Sequence, residues 1–62
     1  MKVSEARKYF KLRNTDTVYL EGIKDIERSA NRIISYSHST VAKTRAWKDL
    51  EACRALRTIA VY

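Results

Sequence analysis

The sequence predicts a small all-α domain, either a helical hairpin or a helix-turn-helix, with a basic N-terminal segment. Proline is absent and Gly22 is the only glycine, whereas average usage in a chain of this length gives about three prolines and four glycines. Because both residue types punctuate turns, their scarcity favours few turns and long helices. Apolar residues also recur at helical spacing through the middle of the chain. The length fits a single domain, residues 1–62.

A basic segment, residues 1–14, opens the chain. Its first thirteen residues hold five Lys or Arg side chains against one acidic side chain, Glu5. Ser4 is a candidate N-cap for a short helix in this segment. The alternative is a strand over residues 8–13, with side chains pointing inward and outward in turn. We favour the helix and keep the strand as the alternative.

Residues 15–36 form the clearest amphipathic segment and are predicted to be one helix or a pair of helices. Five apolar residues follow one another at steps of three or four and so share a helix face: Tyr19, Ile23, Ile26, Ala30 and Ile33. Gly22 costs about 1 kcal/mol against Ala inside a helix, and it is the point where a pair of helices would break. The apolar face is predicted to be core or a dimer interface.

A C-terminal helix is predicted over residues 39–60, after a serine-rich turn. Ser39 is its candidate N-cap, so that the helix begins at Thr40. One face of this helix consists mainly of small residues, which allow another helix to approach closely. Trp47 and Leu50 lie on a neighbouring stripe and are interface candidates. For Trp47 the core is the favoured place, because a domain this small needs its one tryptophan there.

The composition also limits the chemistry. Folding a chain of this size buries only about 60% of the surface that the unfolded chain exposes, so the domain is marginally stable. A single cysteine, Cys53, makes no internal disulfide, and with the single histidine, His38, it provides no metal site. Homodimerisation is therefore the expected source of extra stability. Glycine-rich phosphate loops and nucleophile elbows are absent, so we expect no catalytic residue, no cofactor and no enzymatic activity.

The charge points to a polyanionic partner. Lys and Arg number 13 against 7 Asp and Glu, which gives a net charge of +6 and a pI of about 9.8. Such a balance in a small domain favours nucleic acid. The positive charge is concentrated at the two ends of the sequence, and Lys8, Lys11 and Arg13 are candidate DNA contacts. The chain has no 18-residue apolar run and no signal peptide, so we expect no membrane contact and a cytoplasmic location.

From Tyr19 onward the sequence carries a pattern of four parts. The parts are, in order, Tyr19-Leu20-Glu21-Gly22, the pair Ile26 and Ala30, the turn Tyr36-Ser37-His38-Ser39-Thr40-Val41, and the basic helix with Lys43, Arg45 and Leu50. This pattern resembles the helix-turn-helix of sigma-factor region 4 and of the phage late-operon activators. The resemblance covers about half of the chain.

The resemblance implies a small DNA-binding regulator of the phage or mobile-element type. Its second helix would enter the major groove of double-stranded DNA, with polar residues reading base edges and Lys or Arg contacting phosphates. Val41 would anchor that helix in the core. The implied DNA contacts are His38, Ser39, Thr40, Lys43, Thr44 and Arg45.

Other interpretations stay open. A basic strand followed by two helices also resembles the ribbon-helix-helix repressors, in which Tyr9, Lys11 and Arg13 would enter the major groove from a β-ribbon. A different class is a protein-interaction module that inhibits a host polymerase, nuclease or repressor, with Trp47 and Leu50 in its contact patch. A third interpretation is binding to structured RNA by a basic face of a helical hairpin.

Overall fold

The computed structural model describes residues 1–62 and confirms the all-α prediction, with three helices and no sheet. The helices are α1 (Val3–Tyr9), α2 (Leu20–Tyr36) and α3 (Thr40–Arg57). Residues 37–39 connect α2 to α3, and α3 packs against both other helices. Tyr19, just before α2, pairs with Val61, just after α3, so the two long helices run antiparallel as a hairpin. None of the helices combines the length and apolarity that a membrane span requires.

The N-terminal segment contains a helix, so the alternative strand over residues 8–13 is wrong. The predicted N-cap is also wrong, because α1 begins at Val3 and Ser4 lies inside it. The helix ends in a Schellman motif. Leu12 N donates to Arg7 O at 2.7 Å, and Lys11 N donates to Lys8 O at 3.0 Å. Lys11 holds the left-handed position of this motif with φ 59°, where glycine is the usual residue.

The loop after α1 is held by side-chain hydrogen bonds. The guanidinium of Arg7 donates from Nη1 to Arg13 O at 2.8 Å and to Asp16 O at 3.0 Å. The Asp16 carboxylate accepts from Arg13 N at 2.8 Å. Arg7 is therefore engaged in closing the loop, although its charge had placed it in the basic segment.

The middle segment is one helix, so the pair of helices is wrong. α2 begins at Leu20, five residues later than the predicted start, and continues through Gly22 in its first turn. No side chain caps its N-terminus. Instead Leu20 N donates to Val61 O at 2.8 Å, and Val61 N donates to Val18 O at 2.9 Å. The last residues of the chain thus take the place of a capping side chain.

The start of α3 confirms the predicted N-cap. The helix begins at Thr40, and the Ser39 hydroxyl accepts from Ala42 N at 3.3 Å. It ends at Arg57, three residues short of the prediction. The chain leaves the helix because it turns back to α2, and the Thr58 hydroxyl donates to Ala55 O at 2.8 Å in that turn.

The core lies at the end of the hairpin where α2 begins and α3 ends, and where α1 packs against α3. Its cluster consists of six buried residues: Ala6, Val18, Ile23, Ala52, Cys53 and Leu56. Towards the connecting turn, only Ala30 and Ala46 are buried between α2 and α3. The hairpin therefore has a packed base and a thin, two-helix end.

Candidate nucleic-acid interface

The thin end of the hairpin carries most of the net positive charge. We call residues 28–48 the basic tip: they contain five Lys or Arg residues and no Asp or Glu, since Glu27 and Asp49 flank the range. The other 41 residues contain eight Lys or Arg residues and seven Asp or Glu residues, so +5 of the net charge of +6 lies in the tip. The five bases are Arg28, Arg32, Lys43, Arg45 and Lys48.

The bases of the tip are largely unpaired. Arg28 lies 3.6 Å from Asp25 on the same helix, and the other four form no ion pair. Outside the tip one of the eight Lys and Arg side chains forms an ion pair: Arg57 binds the Glu27 carboxylate through Nη2 at 2.7 Å and Nε at 2.8 Å. What distinguishes the tip is therefore its lack of acidic residues. The tip therefore presents charge that the fold itself does not use.

A groove runs along the first half of α3 beside the end of α1. Its volume is about 430 Å³, and its lining combines two bases with three hydroxyl side chains and one apolar residue. The lining residues are Tyr9, Thr40, Val41, Thr44, Arg45 and Lys48. Cations next to hydroxyl groups are a combination that binds phosphate oxygens.

Tyr9 is fixed at the rim of this groove. Its hydroxyl donates a hydrogen bond to the Asp49 carboxylate, and this bond, together with burial, raises the pKa of Tyr9 above its usual 10.0. The phenol therefore stays neutral at physiological pH. The bond also ties α1 to α3, so the groove has one rigid wall.

Large apolar side chains are exposed on the tip. Val41 is 79% exposed, Tyr36 78% and Trp47 61%. The expected core position of Trp47 and the expected anchoring by Val41 are therefore both wrong. The buried residues of α3 are Ala46, Ala52, Cys53 and Leu56, and Trp47 lies next to Ala46 on the outward side of the helix.

The predicted DNA contacts divide into three groups. Thr40, Thr44 and Arg45 are exposed and line the same groove. His38 and Ser39 are exposed in the connecting turn, where the Ser39 hydroxyl caps α3. Lys43 is half-buried on another side of α3 and lies outside the groove.

The N-terminal candidates are exposed but are not gathered into this groove. Lys8 precedes Tyr9 at the end of α1. Lys11 and Arg13 lie in the loop that Arg7 closes. Of the three, Lys8 is therefore the nearest in sequence to the groove wall.

The predicted interface residues also separate. Ile23 and Ala30 are buried inside the chain, so they belong to the core. Ile26 and Leu50 are half-buried. Tyr19, Ile33 and Trp47 are exposed, and these three remain available to a partner.

Sequence reasoning missed two features of the tip. Lys48 lines the groove but was not among the predicted DNA contacts, and Tyr9, at the rim of the groove, was a predicted contact only in the ribbon-helix-helix alternative. The acid-free run from Arg28 to Lys48 was visible in the sequence. The run spans the connecting turn, so a division of the sequence at that turn splits its charge between two helices.

No group of three or more His, Cys, Asp or Glu side chains is placed to bind a metal ion. Cys53 is fully buried, and burial raises the pKa of its thiol from 9.0 to about 11. A thiol that stays protonated is a poor nucleophile.

Comparisons with protein-family models, curated proteins and solved structures find no match to this chain.

Proposed function

We propose that this chain is a small non-enzymatic regulator that binds double-stranded DNA through its basic tip. The observation that carries the proposal is the run of 21 residues with five bases and no acid, placed at one end of the fold. A polyanion is the partner that such a surface attracts. The proposal includes a cytoplasmic location and a phage or mobile-element origin, as expected from the sequence.

In this proposal α3 is the recognition helix, and the antiparallel hairpin with α2 presents it in place of the crossing of about 90–120° in a helix-turn-helix. The connection of residues 37–39 is short, and its end is fixed by the Ser39 cap. One helix fits the major groove of B-DNA, which is about 12 Å wide. Thr40 and Thr44 would then face base edges, while Arg45 and Lys48 would contact phosphates.

Binding to random duplex DNA across a salt series tests the proposal. Arg45 and Lys48, if each contacts one phosphate, give a slope of log affinity against log salt of about −1.8. Arg45→Gln and Lys48→Gln are each expected to flatten this slope by about one contact. Lys24→Gln removes the same charge from α2 outside the tip and serves as the matched control.

Two outcomes contradict the proposal. One is the absence of duplex binding at low salt. The other is a Lys24→Gln variant that loses as much affinity as Lys48→Gln, which would mean that net charge alone drives binding. Single-stranded DNA and a folded RNA hairpin are measured alongside, and tighter binding to either would replace duplex DNA as the partner.

A second candidate function is inhibition of a host protein such as a polymerase, nuclease or repressor. Trp47 supports it, since an exposed indole at 61% is a frequent anchor of protein interfaces. Trp47 borders a depression of about 490 Å³ between α2 and α3, with Asn31, Leu50 and Arg54 among its lining residues. Trp47→Ala would then abolish partner capture and leave DNA binding unchanged.

We also propose that the chain acts as a homodimer. The buried core has six residues at the base and two alanines towards the tip, which is small even for 62 residues. Two linked tips would also double the number of phosphate contacts available to one complex.

A further inference from the structure

One side of α2 carries a regular stripe that the chain does not cover. We call it the α2 seam, and it consists of Tyr19, Gly22, Ile26, Ser29, Ile33 and Tyr36. The steps between its members alternate between three and four residues, which is the spacing of a coiled-coil seam. Five of the six are exposed, and Ile26 is half-buried at the edge of the core. The seam lies about a quarter turn around the helix from the buried face of Ile23 and Ala30.

Gly22 leaves a vacancy in this seam. A Cβ added at Gly22 would meet no other atom within 4 Å, so nothing in the chain itself requires a glycine there. Most other residues would form the helix better. A groove of about 370 Å³ opens at this point, and seven of its nine lining residues are hydrophobic, with Phe10 and Leu12 on its far wall. A side chain of about the size of Ile fits such a space.

Two copies of the seam are complementary when their α2 helices run antiparallel. In one register Gly22 lies opposite Ile33 of the second copy, and Ser29 lies opposite Ile26. Tyr19 then lies opposite Tyr36 at each end. Every layer therefore pairs a small residue with a branched one, or an aromatic ring with another, as knobs-into-holes packing requires.

The charges beside the seam favour the same register. Asp25 and Arg32 each precede a seam isoleucine by one position, so both border the seam on the same edge. They are seven residues apart, about 10.5 Å along the helix, which is too far for a pair within one chain. Antiparallel helices bring Asp25 of each copy beside Arg32 of the other, so the dimer contains two such pairs. Asp25 lies 3.6 Å from Arg28, but both side chains are 74% exposed and free to move.

We propose that two copies of this chain form a two-fold dimer through antiparallel α2 seams, with Ile33 of each copy seated over Gly22 of the other. The two-fold axis is perpendicular to the pair of helices, and α3 lies a quarter turn from the seam. Both α3 helices therefore lie on the same side of the dimer. The two Tyr36 residues are about 26 Å apart along the helix axis, because 17 residues separate the paired positions. The connecting turns, residues 37–39 of each copy, lie beyond them.

Sedimentation equilibrium of the full chain tests this dimer. The wild type is expected to approach twice its mass of 7.2 kDa as its concentration rises. Gly22→Gln fills the vacancy, and we expect it to raise the dimer Kd at least about tenfold. Circular dichroism of the dilute variant should show undiminished helix, since Gln forms helix better than Gly. Lys24→Gln, on the polar side of α2, is the control that leaves the Kd unchanged.

A charge exchange separates this register from any other. Asp25→Arg alone and Arg32→Asp alone place like charges together, so each is expected to raise the Kd at least about tenfold. The double variant restores opposite charges, and its Kd is expected to return to within about threefold of the wild type. A wild type that stays monomeric, or a double variant that stays as weak as the single ones, overturns the proposal.

The orientation is checked by spin labels at Ser35→Cys, which is off the seam, while the native Cys53 is buried. Antiparallel helices separate the two labels by about 23 Å along the axis, and parallel helices bring them to the same level. A distance that fits the parallel arrangement contradicts the proposal. The dimer does not depend on nucleic-acid binding. These measurements therefore test the dimer independently of the DNA titration, and either proposal can be contradicted without the other.

Discussion

At the scale of single residues, the most informative position is Lys11. Its φ of 59° lies in the left-handed region, which disfavours residues with a Cβ. The chain accepts it because two backbone hydrogen bonds, from Lys11 N and Leu12 N, close the end of α1. A residue that the composition assigned to the basic, DNA-contacting segment therefore also has a demanding backbone role.

Replacing Lys11 separates these two roles. Lys11→Gly relieves the left-handed strain, and Lys11→Gln removes the same charge while keeping the Cβ. We expect the free energy of unfolding of the glycine variant to be about 0.5–1 kcal/mol higher than that of the glutamine variant. Urea denaturation monitored by circular dichroism measures the difference. Equal stabilities would show that the strain is negligible at this position.

At the scale of helices, the sequence predicts α2 and the start of α3 well, because those features depend on local chemistry. The apolar spacing of α2 and the Ser39 cap involve neighbours within one or two turns. The end of α3 and the place of Trp47 depend on tertiary contacts. α3 packs against both α1 and α2, and its buried residues in these contacts are Ala46, Ala52, Cys53 and Leu56. The indole is therefore outside, although its hydrophobicity alone favoured the core.

The start of α2 also depends on a distant segment, and this can be tested at Val61. Val61→Pro removes the N–H that donates to Val18 O, while Val61→Ala keeps it and serves as the control. We expect the proline variant to be about 1–2 kcal/mol less stable than the alanine variant. The amide of Leu20 should also exchange faster in the proline variant. If both variants match in stability and exchange, the bridge contributes nothing.

At the scale of the whole molecule, the hairpin is unevenly stable along its length. The six-residue core is at the base, whereas two alanines hold the tip together. The charge distribution follows the same direction, since the tip contains five Lys or Arg residues and no acid, whereas all seven Asp and Glu residues lie outside it. The uneven charge could be read from the sequence. The uneven packing could not, because it follows from where α1 packs against α3.

Native-state hydrogen exchange measures this unevenness. The amides of Ile33 and Ala46 in the tip are expected to exchange about 10–100 times faster than those of Cys53 and Leu56 in the base. The physical reason is that the tip opens without exposing the main core. Adding duplex DNA should slow the tip amides selectively if the tip is the contact. Uniform protection along the hairpin would mean that the chain opens only as a whole.

The concentration of charge at one end has a kinetic consequence. A body of nearly balanced charge with a tip of +5, on a molecule 37 Å long, has a large electric dipole moment. In the field of a polyanion such a molecule rotates during diffusion until its tip leads. Encounters in the productive orientation then become more frequent than random collision allows, and added salt slows association more than it speeds dissociation. The same fold with its charge spread evenly would have the same net attraction but no preferred approach.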